Sequence, residues 1–209
     1  MIKMFFKDSL TVDSLQALRE YIALKFPNYP AAALTYENAP VQSERTQYTR
    51  RRLNEIDIKR EKYERTKQST QIGSKLSLKL PSITEEISLS DLKSKFIFVD
   101  IWASWCKPCR AQIPYIKEVL KKYPNDIKIY AVSIDIGHNT WRNAIEKDQT
   151  QEFIHVIGTD QDRRNVRSVE VLGIERIPRN FLLDRNCRII AKDLHDEQLM
   201  QTLDSLTKQ

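Results

Sequence analysis

Phe96-Ile97-Phe98-Val99-Asp100-Ile101-Trp102 runs into Ala103-Ser104-Trp105-Cys106-Lys107-Pro108-Cys109-Arg110, and the join between these stretches decides the fold. The first is a nearly continuous apolar run, the pattern of a strand buried on both faces. The second leads into apolar residues at helical spacing, Ile113, Ile116, Val119 and Leu120. A Cys-X-X-Cys pair therefore falls where a buried strand gives way to a helix. Free backbone N–H groups and the helix dipole favour an anion at that place, and a thiolate is one. Lys107 adds positive charge beside it. Cys106 is expected to ionise below the free-thiol pKa of about 8.5 and to act as a nucleophile near neutrality. Cys109 lies one turn on, faces the same sulfur and can close a disulfide with it. Pro108 fits the first helical turn, where its missing N–H costs nothing.

Two further residues belong to this region. Asp100 is a lone charge inside the apolar run. Burying a carboxylate is costly, and a perturbed acid beside a reactive pair points to proton transfer, with a locally paired structural Asp as the alternative. Pro178, in Arg176-Ile177-Pro178-Arg179-Asn180, stands just before a strand, where proline is awkward unless it shapes the backbone. The rival chemistry for a Cys-X-X-Cys pair is half a zinc site. The other available ligands are Cys187, His138, His155 and His195, with no second close pair among them. The expectation is no metal and no organic cofactor.

Working outward, strand and helix patterns alternate. Leu76, Leu78 and Leu80 alternate with polar residues as in a strand, and Glu86 to Leu89 is its hairpin mate. Residues 127–134 and 153–157 read as strands, 139–148 and 162–172 as helices. Residues 180–184 and 187–192 form two strands joined by a tight turn, and the last helix runs from about Asp196 to Leu206. This order predicts an α/β layer fold with a mixed central sheet flanked by helices. The first 74 residues differ. An amphipathic helix is expected over 13–26, with Asp13 and Gln16 as a capping box, then a short helical piece over 31–38. A long charged helix follows over 42–68, with a thin stripe of Tyr48, Leu53, Ile56 and Tyr63. That stripe is too narrow for a core of its own and predicts packing on the next domain or, as a homodimer, on a second chain. Residues 68–74 read as a linker, so the expected domains are 1–74 and 75–209.

Composition narrows the class. The chain has 209 residues, 41% hydrophobic and 30% charged, with a net charge of +6. Its densest basic run, Arg50-Arg51-Arg52, is interspersed with Glu44, Glu55, Asp57, Glu61 and Glu64, so it reads as a solvated helix face rather than a nucleic-acid track. No apolar run approaches the roughly 18 residues of a membrane span. Met1 to Asp8 lacks the apolar core of a signal peptide, which leaves a cytoplasmic protein or one whose leader has been trimmed. Three cysteines cannot make a disulfide scaffold.

The stretch from Val99 to Cys109 resembles the thioredoxin active site, with the buried Asp100, Trp102, Trp105, Cys106 and Cys109 in place. Ile177-Pro178 resembles its cis-proline loop. Ile87 to Lys93, the Trp102-Ala103-Ser104-Trp105-Cys106 wording and Asn180 to Asp184 are similar to the TlpA/ResA-like branch of thiol–disulfide oxidoreductases. That branch is extracytoplasmic and often membrane-tethered, which implies a periplasmic or cell-envelope location in a bacterium. The resemblance covers residues 75–209. Residues 1–74 lie outside it and bear a loose similarity to helical segments that precede such domains in envelope proteins of Bacteroides-type bacteria. Two positions depart from the thioredoxin pattern. Lys107 replaces a glycine, and Ala131 stands where thioredoxin places a lysine near the buried aspartate.

The resemblance implies a thioredoxin-like fold and a thiol–disulfide oxidoreductase, read in the reducing direction. Cys106 attacks a substrate disulfide. Cys109 then resolves the mixed disulfide, with Asp100 as its base. Trp105, Lys107, Pro108, Ile177 and Pro178 form the place where the substrate docks. The partners expected are a substrate protein with a disulfide or thiols and an upstream dithiol electron donor. A thioredoxin-fold binding module is the second reading, against which the intact Cys106 and Cys109 weigh. A peroxiredoxin-like peroxidase is the third, and Ala103-Ser104-Trp105 lacks the proline that reading needs. Cys187, in a hairpin turn where glycine is usual, is expected to be a bystander.

Overall fold

A computed structural model describes residues 44–159, 167–170 and 172–208, together with Tyr21 and Leu24. The chain divides into two compact units, Met1–Tyr63 and Glu64–Gln209. The expected helices over 13–26 and 31–38, and much of that over 162–172, lie outside the described residues. In the first unit the Tyr21 hydroxyl donates to Asp57 Oδ1 at 2.7 Å. Helix α1, Glu44–Ser69, contains the boundary between the units.

The second unit is built on two sheets. A small antiparallel hairpin pairs β1, Lys79–Pro81, with β2, Glu86–Ser88. The main sheet contains β3 (Phe96–Trp102), β4 (Ile127–Ser133), β5 (Ile154–Ile157), β6 (Arg179–Asp184) and β7 (Ile189–Lys192), in the spatial order β5-β4-β3-β6-β7. Strand β3 is parallel to β4 and antiparallel to β6, and all seven of its residues are buried. The period of two sorts them between two cores. Phe96, Phe98 and Trp102 pack with Ile116, Val119, Leu199 and Leu203, while Ile97, Val99 and Ile101 pack with Leu76, Leu78, Leu80, Val169 and Leu172. Each such side chain stabilises the fold by about 1.5–3 kcal/mol relative to exposure, before conformational entropy is set against it. Asp100 is the charged exception in this strand, and its Cα partners are Ala131 on β4 and Asn180 on β6.

Two expectations need correction. The helix after the cysteines is broken into α2, Lys107–Ala111, and α3, Ile113–Lys122. Pro114 has no N–H to give to the Arg110 carbonyl, and its ring crowds that carbonyl. A single straight helix is therefore excluded, and Gln112 forms the joint. Helix α4 spans His138–Asp148 and a short α5 spans Arg167–Glu170. The last helix, α6, begins at Gln198 rather than near Asp196. Asp196 has φ 52°, a left-handed conformation that no α-helix continues through.

The hairpin turn between β6 and β7 holds Cys187 at φ 60°. Asp184 Oδ1 accepts from the backbone N–H groups of Asn186 and Arg188, both at 2.8 Å, and so holds a turn that glycine would enter more easily. Gly173 has φ 57°, and a Cβ there would meet Thr66 Cγ2 at 2.0 Å. Only glycine lets the last turns of α1 lie this close. Lys192 Nζ donates to the Thr70 carbonyl at 3.4 Å, and the Gly73 N–H donates to the Ile189 carbonyl at 2.7 Å, so residues 66–73 are stitched to the sheet.

Candidate active site

The cysteines follow the carboxyl end of β3, the end at which open α/β sheets put their ligands. Cys106 is the N-cap of α2, and its Sγ accepts from the Cys109 N–H at 3.2 Å. Cys106 and Cys109 are joined as a disulfide with their Cα atoms 5.3 Å apart. Pro108 sits in the first turn of the helix, as its chemistry requires. Both cysteines are buried in this oxidised form, Cys106 at 3% and Cys109 at 2% exposed. Around them Lys107 and Pro108 are exposed, and Trp105 is 65% exposed, a large apolar side chain facing solvent beside the reactive bond. The Ile177–Pro178 peptide is cis, and both residues are half-buried. Pro178 directly precedes Arg179, the partner of Ile101 in the β3–β6 register, which brings this loop to the same end of the sheet as the cysteines.

Asp100 is 7% exposed and lines a cavity of about 10 Å³ together with Trp102, Cys109, Ala131 and His155. Asp100 and Cys109 thus line one chamber. Burial pushes its pKa up to about 7, because the charged form loses its hydration. A carboxylic acid half-ionised near neutrality can take or give a proton at working pH.

Several residues that hold the site were not picked out from the sequence. The Ser104 N–H and hydroxyl both donate to Asp135, at 2.8 and 2.6 Å. Ser133 Oγ donates to Asp135 Oδ2 at 2.8 Å. This buried carboxylate fixes the turn that aims Cys106. Arg110 grips Asp148 with two N–H groups, Nε to Oδ2 at 2.6 Å and Nη2 to Oδ1 at 2.5 Å, and a third reaches the Ser104 carbonyl at 3.3 Å. That fork ties α2 to the end of α4. No sequence signal marks these pairs, whose members are 31 and 38 residues apart. His155, considered above only as a metal ligand, lies between the rings of Trp102 and Phe153 with centroids 5.8 Å from each. Among the described residues no group of three or more His, Cys, Asp or Glu side chains is arranged to hold a metal ion.

Comparison with known proteins places this geometry. Residues 68–208 match the family model described as Redoxin. The chain is 26% identical over 127 residues to a thiol-disulfide oxidoreductase ResA of Bacillus cereus, covering 59% of this chain and 70% of that protein. Among solved structures it is similar to the thioredoxin domain of a thiol-disulfide oxidoreductase from Bacteroides vulgatus. That likeness has a TM-score of 0.60 and 28% identity, over 66% of this chain and 99% of the other. A thiol:disulfide interchange protein from Bacteroides sp. is also 28% identical, with a TM-score of 0.60, over 68% of this chain and 93% of that one.

Proposed function

The chain belongs to the Redoxin family and is a thiol–disulfide oxidoreductase of thioredoxin-like fold acting on disulfide-bearing proteins, and from that premise we propose that it works as a reductase through Cys106, Cys109 and Asp100. The observation that carries the reading is the Cys106–Cys109 disulfide at the start of α2, above a cavity that Cys109 and Asp100 share.

In the reduced protein Cys106 is the attacking thiolate. It displaces one sulfur of the substrate disulfide, which leaves as a thiolate and takes a proton. A Cys106–substrate mixed disulfide remains. Cys109 then gives its proton toward Asp100 and attacks Cys106 Sγ. The Cys106–Cys109 bond forms, the mixed disulfide breaks, and the second substrate sulfur departs with a proton. The protein is oxidised by two electrons and the substrate reduced by two. Trp105, Lys107, Pro108 and the Ile177–Pro178 loop form the shelf on which the substrate chain lies. An upstream dithiol donor returns the pair to the reduced form. A location in the cell envelope is the reading supported by the resemblance to the TlpA/ResA-like branch. Residues 75–209 act as the redox module. Helix α1, with Ile58 and Tyr63 exposed, offers the face for self-association, which sedimentation of the full chain tests.

Insulin reduction driven by a dithiol tests the reaction. Wild type turns over, whereas Cys109→Ser stops after one attack and accumulates a substrate adduct on Cys106, visible by mass. Titration of the Cys106–Cys109 pair against glutathione buffers tests the direction. A potential well below that of glutathione supports a reductase, and one well above it points to an oxidase.

A further inference from the structure

The cavity beneath the disulfide contains a buried group to which the mechanism above gives no role. Asp100, Ala131 and His155 are consecutive Cα partners across β3, β4 and β5. Residues paired in this way project from the same side of a sheet, each strand about 4.8 Å from the next. Ala131 between them has only a methyl group, so nothing on β4 fills the space separating the carboxyl from the imidazole. His155 is 8% exposed. Its Nε2 lies 2.8 Å from the Thr150 carbonyl, which can only accept, so Nε2 carries the proton and donates. Nδ1 is then a lone pair. Burial holds the imidazole neutral by pushing its pKa down to about 4.

Nδ1 is buried and has no hydrogen-bond partner, and the same is true of the Trp102 indole N–H. Both belong to residues lining the cavity with Asp100 and Cys109. Buried polar atoms without partners are rare and call for a physical reason. Here one is an acceptor and one a donor, and the cavity volume of about 10 Å³ is close to that of one water. A water there would accept from the Trp102 N–H and the Cys109 S–H, and donate to His155 Nδ1 and Asp100. Four partners suit it fully.

We propose that His155 is a positioning residue for the resolving step: its Nδ1, with the Trp102 indole N–H, holds one water between the Cys109 thiol and the Asp100 carboxylate, and the proton passes along it. This rests on the reading of Asp100 as the base. In the transfer, Cys109 gives its proton to the water as the water gives one to Asp100. The water is unchanged, Cys109 becomes a thiolate and Asp100 becomes neutral. His155 neither gains nor loses a proton.

Two substitutions in the full chain separate the roles of the ring. His155→Gln can keep the bond to Thr150 but has no acceptor at the Nδ1 position, whereas His155→Asn places Oδ1 there. Single-turnover kinetics with quenched mass analysis read the two half-reactions separately. Attack by Cys106 should be unchanged in both. Resolution should slow by about tenfold in His155→Gln, the kinetic equivalent of one hydrogen bond, and return toward wild type in His155→Asn. Wild-type resolution in His155→Gln, with Asp100→Asn slow, overturns the role of His155 and leaves the base standing. Wild-type resolution in Asp100→Asn removes the base and this inference with it. If neither histidine variant folds, ¹⁵N-histidine NMR of the unaltered protein decides. An Nε2–H tautomer with Nδ1 unprotonated and hydrogen-bonded across pH 5–8 supports the proposal, and a protonated or unbonded Nδ1 overturns it.

Discussion

Two buried carboxylates stand at the end of the sheet, one within β3 and one just after β4, and they are treated in opposite ways. Asp135 is 1% exposed and accepts from the Ser104 N–H, the Ser104 hydroxyl and the Ser133 hydroxyl. Asp100 is 7% exposed, shares a cavity with Trp102, Ala131 and Phe153, and has its pKa pushed up to about 7 by burial. Burial among apolar groups favours the neutral form of a carboxyl group such as Asp100. Asp135 is held by three donors and braces a turn, and Asp100 is kept partly protonated near neutrality. The brace holds the turn before Cys106, and the acid shares a cavity with Cys109.

The largest expected effect falls on the acid. Asp100→Asn keeps the shape and removes the base, so resolution of the mixed disulfide should slow by roughly 10²-fold, the lower end of general-base effects, while attack by Cys106 changes little. Raising the pH should recover part of the rate, because Cys109 then ionises unaided. Rapid-quench mass analysis across pH 6–9 reads this, and equal rates in wild type and variant would make Asp100 a second brace.

The same substitution carries a stability signature. Because the folded pKa of Asp100 lies near 7 and its unfolded value near 3.8, the native state holds the extra proton between these limits. Wild type therefore loses stability as pH rises through that window, by on the order of 4 kcal/mol at most. Asp100→Asn has no such loss. Urea midpoints should diverge from about pH 4 to pH 7 in favour of the variant, then run parallel. Asp135→Ala should do the reverse. It leaves the Ser104 N–H and two hydroxyls without their acceptor and should cost about 3 kcal/mol at neutral pH. Both half-reactions should slow together, since Cys106 loses its aim. A selective effect on resolution would erase the contrast between the two acids.

Smaller effects lie away from the acids. A fragment starting at Glu64 keeps Thr66 against Gly173 and the Thr70 carbonyl on Lys192, whereas one starting at Lys75 loses both. The longer fragment should be more stable by about 1–2 kcal/mol in urea, with equal insulin reduction per folded molecule. Equal midpoints would mean that the end of α1 adds nothing to the redox module. Smallest of all is Cys187→Ser. The thiol is buried in the β6–β7 turn, and burial pushes its pKa up, so it is not a ready nucleophile. Activity and the Cys106–Cys109 potential should match wild type. A shifted potential would make Cys187 part of the redox chemistry.

What could be read in advance and what could not divide along chain distance. The six apolar residues around Asp100 marked a strand with both faces covered, and the strand is buried throughout. Cys106 to Cys109 is a local pattern whose spacing alone brings the sulfurs within bonding reach. The alternation of Leu76, Leu78 and Leu80 announced which face they bury. Even the break at Gln112 was encoded in Pro114, since proline's missing N–H acts on its own turn.

The sequence by itself determined this much because periodicity, turns and proline act over a few residues. Only the tertiary structure decided that Asp135 would brace Ser104, that Arg110 would grip Asp148, and that Thr66 would occupy the space left by Gly173. It also decided that Asp100 and His155 would stand in one row with Ala131 between them. These are properties of strand register and packing between distant segments. No single residue states them, because a shift of one position in either strand would send the same side chains to opposite faces.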